Sequence, residues 1–262
     1  MLVISDIEGN FQPFKRLLLE NRVIDTEYRW LFDDNHLIIL GDCFDRGEQV
    51  IECLWLIYSL EEKAKRVGGY VHFILGNHEI MNMNGDWRYI HPKYASKLGN
   101  SRVAPIALYG GNNELWRWLQ TKNIIEKVSD ILFVHGGIAA ELLDLNLSIT
   151  EINKSARNFY TKTSESTADP FQSIFNGDLS PVWYRGYYKF EVTEELIDAT
   201  LAHFGVKSIV TGHTVMEQVT TFFNGKIINV NTNHAMGNSE ALLIRNGKFY
   251  RVDDKGNRVK LK

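Results

Sequence analysis

The chain has 262 residues, 44% of them hydrophobic and 23% charged, with a net charge of −3. That is an ordinary soluble composition, long enough for one large domain with a buried core. The slight negative charge argues against a nucleic-acid or membrane partner held by bulk electrostatics, though it leaves room for a cleft made locally positive by bound metal.

No apolar run approaches the roughly 20 residues of a membrane span. Residues 1–5 read as a first strand with no basic stretch before them, so no secretory signal is expected. The two cysteines, Cys43 and Cys53, cannot build a disulfide framework. A reducing, cytoplasmic setting is therefore expected.

In chain order, Leu2-Val3-Ile4 reads as a short buried strand that runs into Asp6-Ile7-Glu8-Gly9-Asn10. Phe14, Leu17, Leu18 and Leu19 give the apolar face of a helix. A second strand, Leu37-Ile38-Ile39-Leu40, runs into Gly41-Asp42-Cys43-Phe44-Asp45-Arg46-Gly47. The spacing of Ile51, Leu54, Leu56, Ile57 and Leu60 predicts a helix over 50–67, stopped by Gly68-Gly69. A third strand, Phe73-Ile74-Leu75, runs into Gly76-Asn77-His78-Glu79. This β-α-β-α-β order predicts an α/β domain with parallel strands.

From 80 to 113 no clean period appears, which suggests an insertion over the strand ends, a lid or cap on a single domain. A short Trp-rich helix is expected over 114–120. A strand, Ile131-Leu132-Phe133-Val134, runs into His135-Gly136-Gly137. Helices follow near 148–160 and 193–204, separated by a polar surface loop over 161–168. Ile209-Val210 runs into Thr211-Gly212-His213-Thr214. Asn224-Gly225 and Asn246-Gly247 each sit between β-rich runs and signal hairpins, so the C-terminal part reads as antiparallel.

Five apolar runs thus end in Asp, Asn or His, which would bring such ligands to one edge of a sheet. Asp6 and Glu8, two residues apart, would face the same way in an extended segment and hold one divalent cation. Asp42 is placed to bridge two cations. Asn77, His135 and His213 supply an amide oxygen and two imidazoles for a second. Mixed O/N donors of this kind suit Mn, Fe or Zn better than Ca. Two ions about 3.5–4 Å apart can activate one water and clamp a phosphoryl group. His78 is a candidate general acid, Asp45 its orienting carboxylate, and Arg46 a bidentate fork for phosphate.

Together, Gly41-Asp42-x-x-Asp45-Arg46-Gly47, Gly76-Asn77-His78-Glu79, His135-Gly136-Gly137 and Gly212-His213 resemble the calcineurin-like metallophosphoesterases, in their phosphoprotein-phosphatase branch. The stretches 76–83 and Ser180-Pro181-Val182-Trp183-Tyr184-Arg185-Gly186 are similar to the bacterial Shewanella-like phosphatases. The resemblance implies a mixed α/β (α+β) fold, a two-sheet β-sandwich flanked by helices with a dinuclear metal site at the loop ends. It implies that Asp6, Glu8 and Asp42 hold one metal and Asp42, Asn77, His135 and His213 the other. His78 with Asp45 would be the acid, and Arg46 and Arg185 would bind phosphate.

The motif departs from the family at Glu8, where the usual pattern is Asp-x-His. The replacement either favours harder ions such as Mn²⁺ or Mg²⁺ over Zn²⁺, or weakens the site. Two divalent ions are expected, manganese ahead of Fe, Zn and Mg.

The activity expected is that of a monomeric hydrolase cleaving phosphomonoesters, chiefly on phosphoproteins. A hydroxide shared by the metals attacks phosphorus in line, with no covalent phosphoenzyme. The phosphorylated substrate can be protein or small molecule; no nucleic-acid or membrane partner is expected. Alternatives are a hydrolase of metabolites such as dinucleoside polyphosphates, or a metal-binding protein that has lost catalysis. His36, His72, His91 and His203 read as non-ligands, and His234 as structural or solvated. Trp87, Tyr89, Trp183, Tyr184, Tyr187 and Tyr188 are candidates for a substrate wall, with packing the commoner role.

Overall fold

The computed structural model describes residues 1–98, 113–161, 171–189 and 191–261. The elements run β1 (Leu2–Ile4), α1 (Phe11–Glu20), β2 (His36–Leu40), α2 (Val50–Lys65), β3 (Tyr70–Ile74), α3 (Asn77–Asn84), α4 (Pro92–Leu98) and α5 (Glu114–Gln120). Then come β4 (Ile125–Val128), β5 (Ile131–Val134), α6 (Ala140–Asp144), α7 (Ile149–Arg157), α8 (Gln172–Asn176), α9 (Glu194–Phe204) and β6 (Ser208–Thr211). The chain closes with β7 (Thr220–Phe222), β8 (Ile227–Asn229), β9 (Glu240–Arg245), β10 (Lys248–Asp253) and β11 (Arg258–Lys260).

The strands form two sheets, ordered β11-β10-β9-β1-β2-β3 and β4-β5-β6-β8-β7. Strand alternation sorts each apolar run between two cores. Val3, Ile38, Leu40 and Ile74 of the first sheet meet Ile131, Phe133, Val210 and Ile228 of the second in one buried layer. Their neighbours Leu2, Ile4, Leu37, Ile39, Leu132 and Ile209 belong to the other core, packed with helix residues such as Phe14, Leu17, Leu54 and Ile57. Strands buried on both faces read as continuous apolar runs for this reason. The result is the two-sheet, helix-flanked α/β sandwich expected.

Within the first sheet, β1, β2 and β3 are parallel; within the second, β5, β6 and β8 are parallel. The ligand-type residues therefore follow strand ends in two sheets, not one as the sequence suggested. The C-terminal part is antiparallel at β9, β10 and β11, but β8 lies parallel to β6, so that expectation held only in part. Both hairpins form: β7 pairs with β8 around a 3₁₀ turn at Phe223–Gly225, and β9 pairs with β10. In the second, Asn246 and Gly247 have φ of 52° and 68°, the left-handed pair a tight two-residue turn requires.

The stretch after Gly76 is a correction. It contains a helix, α3, whose residues Asn77 to Met83 are all buried. A helix buried on every side has no polar face and hence no period to read. Of the expected lid over 80–113, residues 99–112 lie outside the described residues, as does most of the loop expected over 161–168. Among the described residues no helix is long and apolar enough to cross a membrane. Cys43 and Cys53 are both buried and free.

Candidate active site

The loops that leave the parallel strands bend sharply. Asp6, Glu8, Asp42, Asp45, Arg46 and His213 all have φ between 48° and 68°. Non-glycine residues in this region are uncommon and gather where side chains must be aimed. Asp6 and Glu8 are thus not on one face of an extended segment, as their spacing suggested; both are turned by left-handed backbone. Two glycines let the loops touch: a Cβ on Gly76 would lie 2.2 Å from Asp42 Oδ1, and one on Gly41 2.4 Å from Gly76 N.

A cavity of 170 Å³ opens at these loops, lined by Asp6, Glu8, Asp42, Asn77 and His213 together with Arg46, His78 and Arg185. His135 lies behind it, with Nε2 3.1 Å from both Asp42 Oδ2 and Asn77 Oδ1. Ligating atoms of Asp42, His135 and His213 lie within 4.8 Å of one another, as do those of Glu8, Asp42 and His78. Asp42 belongs to both groups. Asp6 belongs to neither; its Oδ2 accepts from the Ser5 hydroxyl at 2.5 Å and from the His213 N–H at 3.0 Å.

These residues fit a metal. His135 donates Nδ1–H to the Leu40 carbonyl at 2.6 Å, and His213 donates Nε2–H to the Trp183 carbonyl at 3.1 Å. Each imidazole is thereby held by one nitrogen and presents the other as a donor pair for a cation. Without a cation, His135 must keep an extra proton between two oxygens. Burial opposes that charge, but Asp42 overcomes it and pushes His135 up to about 9. Burial would likewise raise Asp42, yet His135 and His78 hold it well below the usual carboxylate range. Burial and then the His135 charge push His213 down to about 2, leaving it neutral. Burial raises Asp6 to about 6, the Asp42 charge adding to it against His135.

His78 Nδ1 lies 2.6 Å from Asp45 Oδ2, and its Nε2 lies 3.9 Å from Asp42 Oδ2. Burial works against a charged His78, but Asp42 and Asp45 outweigh it and raise its pKa. Arg185 donates to the His213 carbonyl at 2.9 Å and to Thr214 Oγ1 at 3.1 Å. Burial lowers its pKa, but a guanidinium is not deprotonated in proteins. Arg46, half exposed, forms an ion pair with Glu8. A histidine at position 8 could not hold Arg46 this way.

Several residues of the site escaped the sequence reading. Buried Glu79 accepts N–H bonds from Asp42, Cys43 and Gly76 at 2.7–2.8 Å, tying two motif loops together. Asn82 donates to Asp45 Oδ1 at 3.1 Å, extending the Asp45–His78 pair. It follows His78 by four residues, a spacing that places both on one face of a helix. Tyr89 and Trp183 line the cavity, whereas Tyr184 and Tyr187 are buried and Tyr188, partly buried, packs against the core. Asn231 also lines it and had no sequence signal. His36 and His72 bond to one another at 2.8 Å, and His203 bonds to the Leu147 carbonyl; neither these nor His91 line the cavity.

The family model for calcineurin-like phosphoesterase matches residues 1–217. The chain is 25% identical to Shewanella-like protein phosphatase 2 of Arabidopsis thaliana over 92% of its own length and 73% of the plant protein. It is 30% identical to Shewanella-like protein phosphatase 1 of Plasmodium berghei over 82% of its length and 60% of that protein. Among solved structures, the cold-active protein-tyrosine phosphatase of a psychrophilic Shewanella species superposes with a TM-score of 0.93 at 38% identity, covering 100% of this chain and 80% of that one.

Proposed function

The chain belongs to the calcineurin-like phosphoesterase family, and we propose that its substrate group is phosphotyrosine in proteins. It is a hydrolase, a metal-dependent phosphoprotein phosphatase. The similarity to a protein-tyrosine phosphatase supports the choice of leaving group. So do Tyr89 and Trp183, which give the 170 Å³ cavity an aromatic wall for an aryl ring.

The observation that carries the reading is the Asp45–His78 pair, closed at 2.6 Å beside the Asp42–His135–His213 cluster. Asp6, Glu8 and Asp42 would hold one divalent ion, and Asp42, Asn77, His135 and His213 a second. Bound there, the ions supply positive charge and a water acidic enough to serve as nucleophile at neutral pH. The protein does the rest. Asp45 accepts the Nδ1–H of His78 and fixes the ring, so Nε2 carries the proton toward the leaving phenolic oxygen. Arg185, held by the His213 carbonyl, and Arg46, once drawn from Glu8, take phosphoryl oxygens.

Three carboxylates, from Asp6, Glu8 and Asp42, favour a hard ion, and Mn²⁺ is the native metal in this reading. The described residues after α3, 85–98, act as part of a cap: the Tyr89 carbonyl accepts from the Arg46 N–H at 3.0 Å and its ring lies 5.3 Å from that of His78. Two free thiols, at Cys43 and Cys53, support a reducing, cytoplasmic setting. The test is phosphate release from phosphotyrosyl and phosphoseryl peptides and diadenosine tetraphosphate by metal-stripped protein reloaded with Mn²⁺, Mg²⁺ or Zn²⁺. Release from the phosphotyrosyl peptides first, with Mn²⁺, is expected; preference for the tetraphosphate would overturn the reading.

A further inference from the structure

Asn82 is buried on α3, one helical turn after His78. Its Nδ2 donates twice, to Asp45 Oδ1 at 3.1 Å and to the His78 carbonyl at 2.9 Å. A carboxylate and a carbonyl can only accept, so the orientation of the amide is fixed and both of its N–H bonds are engaged. His78 Nδ1 lies 2.6 Å from Asp45 Oδ2. The three residues therefore close a ring: His78 side chain to Asp45, Asp45 to Asn82, and Asn82 back to the His78 backbone.

The Asp45 carboxylate depends on such a partner. It sits on the loop after β2, on left-handed backbone with φ of 68°, and is buried. Among the described residues, His78 and Asn82 are the donors that reach it. The last torsion of an aspartate is broad, so a carboxylate held by His78 alone can turn, and the imidazole with it. With Oδ1 taken by Asn82, Oδ2 is the oxygen that faces Nδ1. Without Asn82, one oxygen of a buried carboxylate would also lose its donor, at a cost. Because Asn82 stands on the same helix as His78, it ties the carboxylate to the backbone that carries the imidazole. Asn82 does not line the cavity, so any effect it has on the reaction passes through Asp45.

We propose that Asn82 is a positioning residue for the acid step. It orients Asp45, and through Asp45 the ring and tautomer of His78, so that Nε2 carries its proton and faces the leaving oxygen. The inference rests on the phosphatase reading with His78 as the acid, and it extends the Asp45–His78 pair to a triad of defined order.

The test uses two variants. Asn82→Leu removes both donors at similar volume. Asn82→Ser keeps a hydroxyl, which on a helix bonds the carbonyl four residues back, so it spares the bond to His78 and loses the one to Asp45. With Mn²⁺-loaded protein, both are expected to lower kcat on phenyl phosphate about 10–100-fold with KM unchanged. On p-nitrophenyl phosphate, whose leaving group needs less help from an acid, the loss should be about threefold or less. In a His78→Asn background neither substitution should cost more than about twofold further. In metal-free protein the His78 Nδ1–H proton, identified in NMR spectra by its loss in His78→Asn, should exchange with water faster in both variants. Equal losses on the two esters, a further loss of about tenfold in the His78→Asn background, or an Nδ1–H signal untouched by both variants would overturn the role of Asn82. Wild-type protein inactive on both esters would overturn the phosphatase reading. His78→Asn fully active on phenyl phosphate would overturn the acid, and the role of Asn82 with it.

Discussion

The carboxylate of Glu79 accepts the backbone N–H of Asp42 at 2.8 Å. A side chain of the helix that carries His78 therefore holds the loop that carries the shared ligand of both candidate metal groups. The same carboxylate accepts from Gly76 and Cys43. Burial, with the nearby Asp42 charge, pushes Glu79 up to about 7, and these N–H bonds oppose the shift.

Glu79→Gln is expected to destabilise the metal-free protein by about 2–3 kcal/mol, because an amide NH₂ would face backbone N–H donors. Urea unfolding measures this. A wild-type midpoint for the variant would show that the loops are held by other contacts.

His78→Asn is expected to lower turnover about 10²–10⁴-fold while leaving metal content unchanged. The loss should be larger on an alkyl phosphate than on p-nitrophenyl phosphate, whose leaving group needs less help from an acid. Asp45→Asn should follow the same pattern more mildly. Full activity of His78→Asn on the alkyl ester sinks the assignment.

Metal binding should stabilise the fold by mass action, about 2.7 kcal/mol at a free Mn²⁺ concentration of 100 times Kd. The gain requires Asp42, His135 and His213, so Asp42→Asn should lose it, read as a Tm that no longer responds to Mn²⁺. A Tm response retained in that variant would place the ion elsewhere.

Glu8→His should raise affinity for Zn²⁺ relative to Mn²⁺, since imidazole is the softer donor. It also removes the carboxylate that pairs with Arg46. Titration of metal-stripped protein with each ion measures the ratio. An unchanged ratio would mean that residue 8 is not a ligand.

The pH response of metal-free stability has a clear sign at His234, which burial pushes down to about 4. Its ordinary value is about 6.5. Between these values the unfolded chain binds a proton that the native protein does not, so stability is complete above pH 6.5 and falls as pH drops toward 4. The loss is at most about 1.4 kcal/mol per pH unit. His234→Gln should flatten the curve over that window in urea unfolding, and an unchanged slope would count against a neutral buried His234.

Much of this protein was legible because its strands are buried on both faces. Apolar runs such as Leu37 to Leu40 announce themselves whatever they pack against, and the polar residues that follow them stand out by contrast. Caps and turns were equally local: Thr193 caps α9, and Asn246-Gly247 makes the turn its chemistry predicts. The buried helix α3 was not legible, because periodicity reports a boundary with water and α3 has none.

Sequence by itself determined which residue types would meet and that they would follow parallel strands, since both properties are set within a few residues of each strand end. Tertiary structure decided the rest. Left-handed backbone at Asp6 and Glu8, not alternation, aims those carboxylates. Ends of strands from two sheets, not one, enclose the cavity. Glu79 and Asn82 take their roles from Asp42 and Asp45, each 37 positions away, and no local pattern encodes a partner at that distance.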